Sequence, residues 1–124
     1  MNFQKICVIG LGYIGLPTSS TFAAHGINVL GVDINSHIID TINKGEIHIH
    51  EPGLLEEVQK AIHSGKLKAS TKLEEADAFI IAVPTPFQDN QFGEYNGLTY
   101  KPADMRAVIS AAESIVPFIK KGNL

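Results

Sequence analysis

The stretch Ile6-Cys7-Val8-Ile9-Gly10-Leu11-Gly12-Tyr13-Ile14-Gly15 decides the fold. Ile6 to Ile9 is a continuous apolar run cut short by Gly10, the pattern of a strand buried on both faces in a parallel sheet. The glycines then fall as G-x-G-x-x-G, and a helical stretch follows to about His25, where Gly26 supplies a stop. Asn28 to Asp33 reads as the next strand, with Val29, Leu30 and Val32 apolar. Asp33 closes it, 18 residues after Gly15. A glycine motif alone says little. A strand before it, a helix after it and an acid at the end of the next strand make it a dinucleotide-binding signature.

Each position has a physical task. Gly10 permits a tight turn, Gly12 has no side chain to hold off a pyrophosphate, and Gly15 lets helix and strand pack closely. The helix that follows points its free N–H groups and the positive end of its dipole at the phosphates. Leu11 belongs to the same loop and is expected to take part in cofactor binding with it, and the backbones of Tyr13 and Ile14 are the expected donors. Asp33 is placed to accept hydrogen bonds from the adenosine ribose hydroxyls. A 2′-phosphate there would lose those bonds and meet a like charge, and no Arg follows closely to rescue it. The expected cofactor is therefore NAD rather than NADP.

Working outward, Asn35 is a plausible N-cap for a helix carrying Ile38, Ile39 and Ile42 on one face and ending at Gly45. Pro52 suits the first turn of another helix, striped with Leu54, Leu55, Val58 and Ile62 and ended by Gly65. Leu67 to Ser70 is a short strand. Ala78 to Val83 is the strongest apolar run and reads as a central strand, stopped by Pro84-Thr85-Pro86. Residues 87–101 are polar with two glycines and are expected to form a mobile loop, its aromatics Phe87, Phe92, Tyr95 and Tyr100 packing within it. Asp104 caps a last helix over about 105–119. The alternation specifies an α/β fold: a Rossmann-type, mainly parallel sheet with helices on both faces.

Val83, Pro84 and Thr85 sit at the carboxyl end of the central strand, where sheets of this class bind ligands. Thr85 offers a hydroxyl and a backbone N–H. From spacing alone, a plain strand terminator is an equal reading.

Composition excludes several classes. The 124 residues fit one domain, 1–124, and the net charge of −3 contains no like-charge block longer than two. Neither a nucleic-acid footprint nor attraction to an anionic membrane follows from that. No apolar run approaches the ~18 residues that span a bilayer. The chain is expected to be soluble and cytoplasmic. The lone cysteine, Cys7, lies within the first strand and reads as a small buried hydrophobe rather than a nucleophile. His48 and His50 flank Ile49 with no third ligand nearby, so a surface pair is expected and no metal site. Glu56 and Glu57 read as the solvated face of a helix.

After the last helix, Asn123-Leu124 should feed another strand. The chain is expected to be a partial domain, cut before its fifth strand. Strand 78–83 would then have one open side, which would recruit a second chain or be covered by the last helix or loop.

The sequence resembles the UDP-glucose/GDP-mannose dehydrogenases. The likeness lies in Ile9-Gly10-Leu11-Gly12-Tyr13-Ile14-Gly15-Leu16-Pro17, Gly31-Val32-Asp33-Ile34-Asn35, Ile42-Asn43-Lys44-Gly45, Glu51-Pro52-Gly53-Leu54 and Val83-Pro84-Thr85-Pro86. It covers nearly the whole chain in register. The resemblance implies cofactor roles for Gly10, Gly12, Tyr13, Ile14, Gly15, Asp33 and Thr85. It further implies a parent enzyme that oxidises the C6 alcohol of a nucleotide sugar to a carboxylate with two NAD through a cysteine thioester. Such products feed bacterial surface polysaccharide, and the parent would be a homo-oligomer. The family's catalytic cysteine and lysine have no counterpart here, so no catalytic residue is expected in this chain. Regulatory nucleotide-binding modules of potassium transport systems and β-hydroxyacid dehydrogenases share the glycine motif and the acid. The Glu51–Leu54 and Val83–Pro86 segments argue against both.

Overall fold

A computed structural model describes residues 2–124. Four strands, β1 (Lys5–Ile9), β2 (Asn28–Val32), β3 (Leu67–Ser70) and β4 (Ala78–Ile81), form one sheet in the order β3-β2-β1-β4. All three pairings are parallel. Helices α1 (Gly15–Ala24), α2 (Ser36–Asn43) and α3 (Leu54–His63) make the crossovers on one side, and α4 (Arg106–Ile115), extended by a 3-10 turn over Val116–Phe118, lies on the other.

Strand alternation sorts the core into two layers. Ile6, Val8, Val29, Leu67 and Ala78 face the α1–α3 side with Ala23 and Ala61. Cys7, Ile9, Leu30 and Val32 face the other side, with Ala76, Ala111 and Ile115. A sheet covered on both faces is what the uninterrupted apolar runs required.

The punctuation expected from sequence holds at most places. The Asn35 side chain accepts from the N–H groups of His37 and Ile38. Gly26, Gly45 and Gly65 all adopt positive φ just past a helix end. Three local expectations are corrected. Pro52 stands outside the first turn of α3, because Gly53 in the left-handed conformation is its N-cap; Leu55 is largely exposed and Ala61 takes its place inside. β4 ends at Ile81 rather than Val83. The helix after Asp104 breaks at Ile115, where Pro117 forces the 3-10 turn. The expected cap is corrected as well: Met105 is the N-cap residue of α4 and no side chain caps the helix, while Asp104 accepts the Arg106 N–H at 3.1 Å.

The largest correction concerns residues 87–101. They contain a hairpin of β5 (Gly93–Tyr95) and β6 (Leu98–Tyr100), paired antiparallel. Asn96 and Gly97 both take positive φ, as a type I′ turn demands, and Asn-Gly is the preferred pair for it. The Tyr100 ring lies over Gly93, filling the space a Gly93 side chain would need. The base of the excursion is closed by a bridge between Phe87 and Ala103, with Gln88 N–H donating to Pro102 and Asp104 N–H to Pro86. A self-closed pin thus stands where a loop was expected.

The free side of β4 is also not bare. Leu124 N–H donates to Asp77 O at 3.1 Å, and Phe79 N–H donates to Leu124 O at 2.8 Å. That is the bonding of a parallel pair, so Leu124 already occupies the position of a fifth strand beside Ala78.

Candidate cofactor site

The glycine loop lies at the carboxyl end of the sheet, where β1 meets β4 and the winding direction reverses. Sheets of this class open a crevice there. Gly10 N–H donates to Val32 O at 2.7 Å, tying the loop to the end of β2. On the other side, a Cβ on Gly10 would lie 2.6 Å from Ala82 O and 3.0 Å from Val83 N. The Val83-Pro84-Thr85 segment therefore runs beside Gly10, with Pro84 and Thr85 exposed and Val83 half-buried. The structure brings the glycine loop, Asp33 and the end of β4 to one edge of the sheet.

The three motif glycines differ sharply in what surrounds them. A Cβ on Gly15 would sit 1.6 Å from Gly10 O, so only glycine allows helix and loop to approach this closely. A Cβ on Gly12 would meet nothing within 4 Å. Gly12 thus faces open space, which any side chain there would enter. α1 starts at Gly15 without a side-chain cap. Among the described residues, no protein acceptor meets the N–H groups of Gly12, Tyr13 or Ile14. Unpaired amides at an uncapped helix start, beside a glycine with clear space, form a cradle for an anion. A dinucleotide pyrophosphate fits this donor set.

Asp33 is half-buried at the end of β2. Its Oδ2 accepts the Leu11 N–H and its Oδ1 the Asn35 N–H, each at 3.0 Å. Each oxygen keeps a second lone pair, so the carboxylate can still accept from a ribose hydroxyl. Leu11 has a different place from its loop neighbours. Its N–H is committed to Asp33 and its side chain is fully buried, so it presents no donor to a ligand. Tyr13 and Ile14 are 60% and 70% exposed, and Ile34, next to Asp33, is 99% exposed. These apolar groups lie exposed beside the glycine loop and Asp33, and Ile34 carries a signal that composition alone did not mark: an isoleucine directly after the strand-end acid, with no core position to fill.

Two other candidates fall away from this edge. Cys7 is fully buried in β1, and burial pushes its thiol up to about 11. A thiol held protonated is a poor nucleophile. The expected surface pair is corrected in part: His50 is exposed, but His48 is half-buried, its Nδ1 enclosed and without a partner among the described residues.

The profile of the UDP-glucose/GDP-mannose dehydrogenase family, NAD binding domain, matches residues 4–124. The chain is 54% identical over 124 residues to the UDP-N-acetyl-D-mannosamine dehydrogenase of Escherichia coli K12, covering all of this chain and 27% of that protein. The structure of the UDP-N-acetyl-mannosamine dehydrogenase from Staphylococcus aureus superposes with a TM-score of 0.86 at 54% identity, over 96% of this chain and 27% of that one. The UDP-D-ManNAc dehydrogenase from Pyrococcus horikoshii gives a TM-score of 0.84 at 34% identity, over 97% and 27%. The chain thus spans about a quarter of the length of the relatives it matches.

Proposed function

Since the chain belongs to the UDP-glucose/GDP-mannose dehydrogenase family and forms its NAD binding domain, we propose that residues 1–124 hold the NAD of a nucleotide-sugar dehydrogenase acting on UDP-N-acetyl-D-mannosamine. The substrate assignment rests on the curated relatives of that name at 54% identity. The observation that carries the cofactor assignment is the cradle at α1: free amides of Gly12, Tyr13 and Ile14, with open space at Gly12.

In this reading the Gly12–Ile14 amides hold the pyrophosphate, and Gly10 and Gly15 shape the loop that presents them. Asp33 receives the adenosine ribose. Val83, Pro84 and Thr85 border the cofactor at the end of β4, with the Thr85 hydroxyl and N–H as polar contacts. When bound, NAD supplies the hydride acceptor for oxidation of the sugar alcohol. This chain's own contribution is to bind and orient it. We read the chain alone as binding cofactor without turnover; the Cys7 thiol, buried in β1, is no candidate for the nucleophile of a thioester route.

The parent protein works as a homo-oligomer in the cytoplasm. Exposed apolar residues on α4 and its 3-10 extension, Ile109 and Val116, support burial against further protein, and a single reduced cysteine suits a reducing compartment. No helix among the described residues is long and apolar enough to cross a membrane.

Calorimetric titration with NAD tests the reading. Saturable binding that is lost in Gly12→Val is expected, and absence of binding by a folded chain would reject it. NADH formation by the pure chain with UDP-N-acetyl-D-mannosamine would overturn the non-catalytic assignment.

A further inference from the structure

Leu11 stands between two glycines, Gly10 and Gly12, the places where the backbone has most freedom to lose. Three separate contacts hold it. Its side chain is fully buried among Leu16 of α1, Ile39 and Ile42 of α2, and Leu54 and Val58 of α3. Its N–H is held by Asp33. Its methyl groups lie where a side chain of β2 would be: a Cβ on Gly31 would come within 2.8 Å of Leu11 Cδ2 and 3.0 Å of Cδ1. Gly31 pairs in the middle of the sheet, with Val8 on one side and Ala69 on the other, and its φ needs no glycine. Its missing side chain is therefore explained by space alone. The isobutyl group of Leu11 fills that space.

We propose that Leu11 is a positioning residue for the dinucleotide: wedged over Gly31, it fixes the Gly10–Gly15 loop, and so sets NAD affinity without touching NAD. The inference rests on the NAD reading above. A loop with glycines on both sides of Leu11 would sample many conformations, and the free amides of Gly12, Tyr13 and Ile14 would point in as many directions. Pinning Leu11 removes that freedom before the ligand arrives, so less ordering is left for binding to offset. The wedge also ties the site to α2 and α3, neither of which contributes an amide to the cradle.

Gly31→Ala tests this most directly, because it alters no group facing the crevice and acts through the Leu11 methyls. Leu11→Ala is the second variant, Leu11→Met the volume-keeping one, and Leu67→Ala the control, a buried residue at the start of β3 that belongs to a different cluster from Leu11. Two quantities are read: the Kd for NAD, and hydrogen exchange of the residue 11 amide without NAD. Gly31→Ala and Leu11→Ala are each expected to raise Kd by about tenfold or more, equal to ~1.4 kcal/mol, and to speed exchange at residue 11 to a similar degree. Leu11→Met and Leu67→Ala are expected to leave Kd within about twofold. If Leu67→Ala weakens NAD as much as Leu11→Ala, general loosening of the core is responsible and the proposal falls. If the wild-type chain binds no NAD, the function proposed above fails instead, and exchange at residue 11 still decides this point. Unchanged exchange in both Gly31→Ala and Leu11→Ala would overturn it. Should Gly31→Ala not fold, Leu11→Ala against Leu67→Ala gives the same decision.

Discussion

Phe79 N–H donates to the carbonyl of Leu124 at 2.8 Å, so the last residue of the chain is bonded into the sheet. Asn123 secures it by donating from its side chain to Ala76 O at 3.0 Å, and accepts the Lys120 N–H at 2.6 Å. On that side of β4 the next outward-facing residue is Ile81, which has no strand beside it. Removing Asn123 and Leu124 should cost about 1–3 kcal/mol through the lost hydrogen bonds. It should also lengthen the open edge and increase association. Urea unfolding and sedimentation velocity check both, and a shortened chain that is equally stable and equally monomeric would contradict the assignment.

Asp33→Ala should abolish most of the preference for NAD over NADP. A hydrogen bond to a charged acceptor contributes about 1.5–3 kcal/mol, or roughly 10- to 150-fold in affinity. NAD itself should bind more weakly by that factor, and NADP should change less, since the repulsion of its phosphate disappears with the carboxylate. Parallel titrations of both cofactors into both proteins decide it, and unaltered discrimination would remove Asp33 from the ribose site.

Gly15→Ala and Gly12→Ala should fail in opposite ways. At Gly15 the new methyl would lie 1.6 Å from a backbone oxygen, so the loop must move and stability should fall by ~3 kcal/mol or more. At Gly12 the methyl meets nothing, so thermal unfolding should barely change while NAD binding drops. Comparing Tm with Kd for the two variants separates the roles.

Acid should weaken the amino end of the sheet through Asp77. Its Oδ2 accepts the N–H groups of Lys5 and Gln4, at 2.9 and 2.8 Å, and these bonds hold its carboxyl below the ordinary 3.8. Glu74, hydrogen-bonded by Lys5, is likewise lowered from 4.5. A carboxylate lowered on folding stabilises the protein fully above its unfolded value and loses that contribution as pH falls through the folded one. Asp77→Asn should therefore lower Tm at neutral pH and have little effect well below pH 3.8. An equal drop at both pH values would show that its charge is not involved.

Gly97→Val should open the hairpin alone. Valine at a φ of +76° is strained by ~1–3 kcal/mol, and a lone two-stranded hairpin is only marginally stable. Exchange protection at β5 and β6 should vanish while the four-stranded sheet keeps its Tm. Loss of protection in β1 would mean that the pin supports the core.

The parallel sheet was legible because its signals are redundant. Apolar runs, glycine stops and one acid at a strand end all agree, and the order β3-β2-β1-β4 follows from them. The site was legible in outline, since Gly10, Gly15 and Asp33 must lie where the first and second strands end. The hairpin was missed although its signal was present: Asn96-Gly97 between Tyr95 and Leu98 is a two-residue turn, but strands of three residues give too short an alternation to stand out. Leu11 was read as part of the cofactor surface because a loop position carries no mark of depth. Only packing reveals that the residue between two glycines points inward and that Gly31 is its socket.

The closed base of the 87–103 excursion makes it a detachable unit. Since Gln88 joins Pro102 and Asp104 joins Pro86, the two ends meet before the hairpin begins. Whatever lies between them can be lengthened, shortened or exchanged at small entropic expense, without shifting the frame of α4 or the end of β4. The fold thus carries, just past the end of β4, a graft point where the chain can change in length or composition while the sheet beneath stays unchanged.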